Sequence, residues 1–295
     1  MAVQVAITLF AFIVLTTAKP PSPITCPIVF DGRVAKNLTL QDFDTDGLTP
    51  YQAGYVHGVN LTWSKIVQFP KAPPSKFDST HDKAVEVTIS DGSLFQPGGG
   101  QVQTGFRRAG FLLGANNGSD ASNVGVKTFH WSVKQDQNPR MGMNLTHEYM
   151  NVWHETNDYS HNQFSFKAGV VLFVPKSNQT NKRTWKITNY KDEIVWSTPI
   201  DFEDWQNFAV TLDYNKSTLQ IYYSQGNDPL RVATHPLPND NSGGGQFQIG
   251  VAKKPTETQG VVYDGYQETH IHEGQIYGGI FVEDSSGGCV SGSKN

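Results

Sequence analysis

Lysine and arginine are sparse in this sequence, and they form no cluster or stripe. The chain has 23 of them against 27 aspartates and glutamates, which gives a net charge of −4. Nucleic-acid-binding domains carry a basic patch or stripe, so we expect no nucleic-acid partner. None of the glycine-rich runs leads from a strand into a helix with Lys-Ser/Thr, which excludes a phosphate-binding loop.

Long apolar runs are missing too, with one exception at the start of the chain. Residues 3–18 carry no charged side chain and are followed by Lys19 and a proline-rich patch. Thr16 and Ala18 are small residues at the offsets typical of signal-peptide cleavage. A membrane anchor is the alternative, but the run is short for a spanning helix. We therefore expect a signal peptide over residues 1–18, a secreted, extracellular protein and no membrane partner.

Cysteine is nearly absent, and the two that occur lie near the two ends of the mature chain. They are Cys26 and Cys289, and in an oxidising compartment we expect them to pair. Closing so long a loop would remove roughly 5 kcal/mol of unfolded-state entropy in the simple chain model. The bridge would hold both termini together, which predicts one domain over residues 24–290. We expect this domain to be a monomer.

Sequons for N-glycosylation agree with export, because they are more frequent than the composition leads us to expect. If glycosylated, the asparagines must face solvent. The six predicted sites are Asn37, Asn60, Asn117, Asn144, Asn178 and Asn215.

Helical periodicity is also lacking, and no repeat of fixed period occurs. The body of the chain reads instead as short strand-forming runs separated by Gly, Asn, Asp and Pro. The predicted strands are 85–90, 106–113, 126–134, 147–155, 164–173, 184–189, 193–198, 208–214, 218–224, 246–253 and 274–284. This pattern predicts an all-β fold, a single β-jelly-roll or concanavalin-like sandwich.

Polar, aromatic and acidic side chains mix in an unusual way along residues 147–155. Strict alternation of a strand predicts two mixed faces. One would carry His147, Tyr149, Asn151, Trp153 and Glu155, and the other Glu148, Met150, Val152 and His154. Such a strand suits the floor of a carbohydrate groove, although an amphipathic strand with polar ends is the alternative. Trp153 and Trp131 are the candidates for stacking on sugar rings, whereas core packing is the better prediction for Trp185, Trp196 and Trp205.

His270 and His272 form an x-H-x-H pattern next to Glu273. Two such imidazoles can bind zinc or copper, but no clear third ligand accompanies them. We therefore predict no metal and no cofactor, and a role for His272 in binding sugar hydroxyls.

Several segments together resemble one family, the fungal glycoside hydrolase family 131 β-glucanases. They are CPIVFDGRV (26–34), WSKIVQFP (63–70), SKFD (75–78), VEVTISD (85–91), GFRRAGFLL (105–113), KTFHWSVK (127–134), LTHEYMNVWHE (145–155) and DGYQETHIHEGQIYGGIFVED (264–284), with Gly288-Cys289 at the end. The resemblance implies a jelly-roll domain and a β-glucan substrate. It further implies exo-type cleavage of β-1,3 and β-1,6 linkages and endo-type cleavage of β-1,4 linkages.

The resemblance also implies a pair of catalytic glutamates, one in Arg-Arg-Ala-Glu and one in His-Glu-Tyr. Glycosidases usually need two carboxyl groups that flank the scissile bond. The second glutamate corresponds to Glu148, but the first corresponds to Gly110, which has no side-chain acid. Three interpretations remain: Glu155 or Glu273 serves instead, the protein binds β-glucan without cleaving it, or other carboxylates are the essential ones and activity is intact.

Arg108 lies two residues before Gly110, so on a strand both point the same way. Lys167 could line the same groove from a partner strand. Arg108 and the segment Phe-Lys-Ala-Gly, which contains Lys167, also resemble alginate lyases of the jelly-roll type. In such an enzyme, His147 and Tyr149 would be the residues that abstract a proton. A polysaccharide lyase is therefore the third candidate, after a hydrolase with Glu148 and Glu155 as catalytic residues and a glucan-binding protein.

Overall fold

The computed structural model describes residues 24–138, 140–172 and 181–293. All eleven predicted strands are present, and six short ones accompany them. The strands are β1 (Ile28–Asp31), β2 (Val34–Ala35), β3 (Val67–Gln68), β4 (Asp82–Lys83), β5 (Val85–Ser90), β6 (Arg107–Leu112), β7 (Val126–Lys134), β8 (Glu148–Glu155), β9 (Asn162–Gly169), β10 (Thr184–Thr188), β11 (Ile194–Pro199), β12 (Gln206–Asp213), β13 (Thr218–Gln225), β14 (Arg231–Val232), β15 (Leu237–Pro238), β16 (Gln246–Lys253) and β17 (His272–Asp284). The helices are one α-helical turn (Trp63–Ile66) and two 3-10 turns (Gln41–Asp44 and Ala121–Asn123).

One predicted strand, over residues 164–173, extends too far. The corresponding strand β9 ends at Gly169. Gly169 has φ +77°, and a Cβ atom there would lie 1.9 Å from the carbonyl oxygen of His147. Only glycine adopts this conformation readily. The chain therefore turns away from β8 at this residue.

The strands form two antiparallel sheets that face each other. The larger sheet has the order β14-β13-β12-β7-β17-β5-β3, with β1 on β17 and β15 on β13. The smaller one has the order β11-β10-β9-β8-β16-β6, and β2 and β4 form a separate pair. Hairpins of consecutive strands alternate with pairs that are distant in sequence, such as β7–β17, β5–β17 and β8–β16, as in a jelly roll. The predicted all-β class is thereby confirmed.

Between the sheets lies an apolar core rich in aromatic rings. Alternate side chains of β5 (Val85, Val87, Ile89) face it from one sheet, and Phe164 and Phe166 of β9 face it from the other. This is the period of two that half-buried strands show.

The tryptophans predicted to be structural pack in apolar clusters. Trp185 is buried in this core and Trp196 packs against it, whereas Trp205 is buried in a separate small cluster with Ala84 and Ile276. Trp131, predicted as a sugar-stacking candidate, is a core residue as well. It is buried, and its ring stacks 5.9 Å from that of Phe208. A side chain enclosed in this way cannot contact a polysaccharide.

The predicted disulfide between Cys26 and Cys289 is present. It joins the start of β1 to the chain beyond β17. Hydrogen bonds accompany it, because the Ser291 hydroxyl accepts from the Cys26 backbone N–H at 3.1 Å and the Glu283 carboxylate accepts from the Ser291 N–H at 2.9 Å. The described ends of the chain therefore meet at one place, as expected from the sequence.

Five of the six predicted glycosylation sites lie within the described residues, and all five asparagines are exposed: Asn37, Asn60, Asn117, Asn144 and Asn215. Asn178 and the predicted signal peptide lie outside the described residues. Within the described part of the chain, no helix has the length and apolar character needed to cross a membrane. Glycosylation, secretion, the 24–290 domain boundary and the monomeric state stay predictions.

We expect the double substitution Cys26→Ser/Cys289→Ser to lower the free energy of unfolding by about 2–5 kcal/mol, because the unfolded chain gains the freedom of a very long loop. Urea unfolding of the two proteins measures this difference. Reductant should lower the midpoint of the wild type and leave that of the variant unchanged. Equal midpoints without reductant would contradict the prediction.

Candidate active site and glycan groove

Strand β8 carries four of the eight predicted catalytic and substrate-binding residues, and it does not alternate strictly. Its pairing with β9 shifts between Met150 and Val152, so that Asn151 is an extra residue in β8. Such a bulge reverses which face the following side chains occupy. Tyr149, Val152 and His154 consequently point toward the other sheet. Glu148, Met150, Trp153 and Glu155 point to the outer face.

The predicted division of the β8 side chains between two faces is therefore wrong. Tyr149 donates a hydrogen bond from its hydroxyl to Glu273 of the opposite sheet at 2.7 Å. The His154 ring stacks against Phe164, with centroids 6.0 Å apart. Neither residue belongs to the face that carries Trp153 and Glu155.

A groove of about 970 Å³ lies on the outer face of the six-stranded sheet. Its floor includes Arg108 of β6, Met150 and Glu155 of β8 and Ala252 of β16. Its walls are residues 54–59, residues 94–98 and single side chains that include Phe106, Tyr159 and Lys254. Concave sites with aromatic linings and a few polar groups are typical of ligand binding.

A row of hydrogen-bonded polar side chains crosses the groove. The Arg108 guanidinium donates to the Gln248 Oε1 atom at 2.8 Å, and the Gln248 Nε2 atom donates to the Glu155 carboxylate at 2.6 Å. The charged groups of Arg108 and Glu155 are 3.7 Å apart. The structure thus brings together two of the predicted site residues.

Tyr55 is a groove residue that the sequence analysis missed. It also missed Gln248, which is buried beneath the groove floor and links Arg108 to Glu155. Burial raises the pKa of the Tyr55 hydroxyl to about 12, with Arg108 opposing the shift and Glu155 adding to it. Tyr55 therefore keeps its proton and can donate a hydrogen bond at neutral pH. Strict alternation of core and surface residues along β16 would have placed Gln248 on the outer face. No comparable pattern in the sequence points to Tyr55.

Glu148, the predicted catalytic residue, is buried in the structure. Its Oε1 atom lies 2.6 Å from the Lys254 ammonium and 3.0 Å from that of Lys167, and its Oε2 atom accepts from the Leu172 N–H at 2.6 Å. Burial alone would raise the pKa of this carboxyl, but the two lysines outweigh it and lower the pKa to about 2. Glu148 is therefore an anion with several hydrogen-bond donors around it, and it cannot donate a proton near neutral pH.

Lys167 was predicted to bind substrate, but its position is that of a partner for carboxylates. It is buried, and its ammonium group contacts Glu148 and lies 2.6 Å from the Asp192 carboxylate. A lysine engaged by two carboxylates has little capacity left for a sugar. It holds the Glu148 carboxylate in place.

The second predicted catalytic carboxylate, Glu155, is far from the first. It follows Glu148 by seven positions on the same strand, which is a distance of about 20 Å at the rise of a β-strand. Catalytic carboxyl pairs are roughly 5–9.5 Å apart. Glu148 and Glu155 therefore cannot flank a single glycosidic bond.

Gly110, which stands where the resemblance implies a glutamate, lies against the indole of Trp153. A Cβ atom at position 110 would be 3.2 Å from Cη2 and 3.6 Å from Cζ2 of that ring. A side chain at position 110 would therefore begin in tight contact with the indole.

Trp153 is fully buried, and the Arg108 guanidinium covers it at 5.2 Å from the ring. It was predicted to stack on a sugar, but an enclosed ring cannot do so. Instead, it supports the floor of the groove beneath Arg108.

Three further predicted residues lie outside the groove lining. His147 is buried, with its ring nitrogens 2.8 Å from the Lys254 carbonyl oxygen and 2.9 Å from the Glu268 carboxylate. Tyr149 and Glu273 form a buried network with Lys253, whose ammonium lies 2.7 Å from Glu273. Glu273 therefore does not replace the missing glutamate, and His147 and Tyr149 are not arranged as an accessible proton-abstracting pair.

His272, the last predicted substrate-binding residue, is exposed on β17 of the other sheet, and His270 beside it is exposed as well. Neither lines the groove. Across residues 24–138, 140–172 and 181–293, no three histidine, cysteine, aspartate or glutamate side chains come together as they would around a metal ion.

Comparison with known proteins identifies the family. The family model described as the glycoside hydrolase 131 catalytic N-terminal domain matches residues 28–288. The chain belongs to glycoside hydrolase family 131. Membership in this family supports a glycoside hydrolase function, with a polysaccharide as substrate or ligand.

Two solved structures share the fold of this family 131 chain. One is a GH131 β-glucanase catalytic domain from Podospora anserina, with a TM-score of 0.68, 20% identity and coverage of 90% of this chain and 98% of that one. The other is the catalytic domain of a glycoside hydrolase family 131 protein from Coprinopsis cinerea, with a TM-score of 0.68, 18% identity and coverage of 91% and 98%. No protein with a curated description matches the sequence.

The low pKa of Glu148 predicts how the stability of this family 131 protein depends on pH. A glutamate in the unfolded chain has a pKa of about 4.3. The contribution of Glu148 to the free energy of unfolding is therefore fully present above that pH and is lost as the pH falls toward 2. The shift corresponds to about 3 kcal/mol. We expect Glu148→Gln to lower the free energy of unfolding by about that amount at pH 7, and the deficit to shrink as the pH approaches 2.

Urea unfolding at several pH values measures this deficit, with Glu203→Gln, a change at an exposed glutamate, as the matched control. A deficit that is independent of pH would contradict the assignment of Glu148 as a charge-stabilised anion.

The contact between Gly110 and Trp153 predicts a coupling between the two positions. Alanine in place of a strand glycine gains about 0.4–1 kcal/mol where the new atom fits, but here it meets the indole. In Trp153→Phe the two nearest ring atoms are gone, so Gly110→Ala should stabilise that background and not the wild type. We expect a coupling energy of about 1 kcal/mol in a double-mutant cycle, measured by urea unfolding.

The same cycle with Trp205→Phe provides the control, because Trp205 contacts residue Pro73 far from Gly110. A coupling of about 0.3 kcal/mol or less between positions 110 and 153 would show that the two do not share space.

Proposed function

We propose that this family 131 protein binds β-glucan in the groove of its six-stranded sheet and does not hydrolyse it by a pair of carboxylates. The observation that carries the proposal is the contact between Gly110 and Trp153. Position 110 offers no carboxyl group, and even a Cβ atom there would be 3.2 Å from the Trp153 indole. Catalysis by an acid and its partner carboxylate requires both groups.

The lining of the groove supports the binding part of the proposal. Sugars present hydroxyl groups at their edges and C–H groups on their faces, so their sites combine hydrogen-bonding and aromatic side chains. Arg108 and Glu155 of the groove floor supply a hydrogen-bond donor and an acceptor, and the buried Gln248 links them. Tyr55, Phe95 and Tyr159 supply the aromatic surface.

Hydrolysis of β-glucan is the second candidate function, and the family match favours it. The matched family describes a catalytic domain, and one solved relative bears the name β-glucanase. Glu148 is retained. The buried position of Glu148 and its two lysine partners weigh against this candidate, because a nucleophile or base must reach the substrate.

We further propose that the protein is secreted and glycosylated. The paired cysteines and the five exposed sequon asparagines support this proposal, since disulfides persist in oxidising compartments. A β-glucan outside the cell would be accessible to such a protein.

Incubation with particulate β-1,3-glucan, laminarin and barley β-glucan tests the function. We expect the protein to be retained on the particulate glucan while reducing ends stay at the level of a protein-free blank. Arg108→Ala should weaken retention by about tenfold, which corresponds to the loss of roughly one charged hydrogen bond. Arg231→Ala, at an exposed arginine on the other sheet, is the matched control.

Release of reducing ends by the wild type that Glu148→Gln abolishes would establish the hydrolase instead. Neither retention nor release on any of the three glucans would overturn both candidates.

A further inference from the structure

The turn between β8 and β9 places an aromatic ring beside the groove. We propose that Tyr159, at the tip of this turn, is a stacking platform for one β-glucosyl unit of a bound glucan. The hydroxyl groups of that stretch of glucan would bond to Glu155 and Arg108 of the groove. The inference rests on the proposed glucan binding and assigns a residue to it.

Tyr159 is the most exposed aromatic side chain of the described residues, with 69% of its surface accessible. It nevertheless lines the groove together with Tyr55, Arg108 and Glu155. Burial of a ring of this size against a ligand contributes substantially to binding. An exposed tyrosine at the edge of a polar groove is therefore positioned to cover a sugar ring.

The backbone conformation of Tyr159 is energetically unfavourable. Its φ is +58°, a left-handed conformation that is unfavourable for a bulky residue and that glycine or asparagine adopts more readily. The other described non-glycine residues with positive φ are Asn60, Asp192, Ser217, Glu257 and His270. Tyr159 is thus the only tyrosine, phenylalanine or tryptophan among them.

Hydrogen bonds around Tyr159 fix this conformation. The Tyr159 N–H donates to the Thr156 carbonyl oxygen at 2.9 Å. The Asp158 carboxylate accepts from the Thr156 hydroxyl at 2.8 Å and from the Ser160 hydroxyl at 2.8 Å. The Asn157 amide donates to the Gly118 carbonyl oxygen at 2.8 Å and so ties the turn to a neighbouring loop. The backbone that carries the ring is therefore held in place before any ligand arrives, which lowers the entropic cost of binding.

The geometry favours a β-linked glucose unit as the ligand. With all its hydroxyl groups equatorial, a β-glucopyranosyl ring has apolar C–H groups on both faces and hydroxyl groups around its edge. One face can cover the Tyr159 ring while the edge reaches the polar row that begins at Glu155. An axial hydroxyl group would leave only one of the two faces apolar.

Replacement of Tyr159 by glycine tests the inference, because it removes the ring and also relieves the backbone strain. We expect Tyr159→Gly to weaken binding of laminarin oligosaccharides by about tenfold or more in isothermal titration calorimetry, with a thermal midpoint equal to or above that of the wild type. Tyr159→Phe keeps the ring and should stay within about threefold of the wild-type affinity. Tyr266→Ala, at an exposed tyrosine outside the groove lining, should bind as the wild type does.

Two results would overturn the inference alone: glucan binding by Tyr159→Gly at wild-type affinity, or weaker binding accompanied by a lower thermal midpoint, which indicates a structural role. Absence of binding by the wild type would overturn the proposed function and the inference with it. The wild-type measurement therefore separates the two failures.

Discussion

The bulge at Asn151 is the constraint on which the rest of the site depends. It shifts β8 by one residue against β9, so that Glu148 and Glu155 share the outer face although Glu155 follows Glu148 by seven positions, an odd number. The Tyr277 hydroxyl of the opposite sheet lies 2.9 Å from the Asn151 carbonyl oxygen and 2.5 Å from that of Gly250. A buried carbonyl group that has lost its ladder partner must find another donor, and Tyr277 supplies it.

The chemistry of Glu148 follows from this placement and from the cost of burying charge. A carboxylate taken out of water needs compensating partners, and Lys167, Lys254 and a backbone N–H provide them. The same partners that make the ionised form stable keep its oxygens engaged. The environment of Glu148 is consequently that of a structural anion, whereas Glu155 remains at the groove and contacts a neutral amide.

The floor of the groove shows how neighbouring positions depend on one another. Gly110 and Gly250 face each other across β6 and β16 without side chains, and the Trp153 indole reaches the space above Gly110. Arg108 then lies over the indole and presents its guanidinium to Gln248 and Glu155. Replacement of any one of these residues would change the surface offered to a sugar.

The sequence by itself determined the strands, the all-β class, the family and the disulfide. These depend on local alternation, on turn residues and on the small number of cysteines, all of which can be read along the chain. It also singled out Arg108 and Glu155 as separate site candidates, but only the structure shows that they share one groove. Only the tertiary structure decided the roles of Glu148, Tyr149, Trp153 and Lys167. A single extra residue in β8 reverses the strand's faces, and whether a carboxylate is reactive or neutralised depends on lysines that lie far away in sequence and close in space.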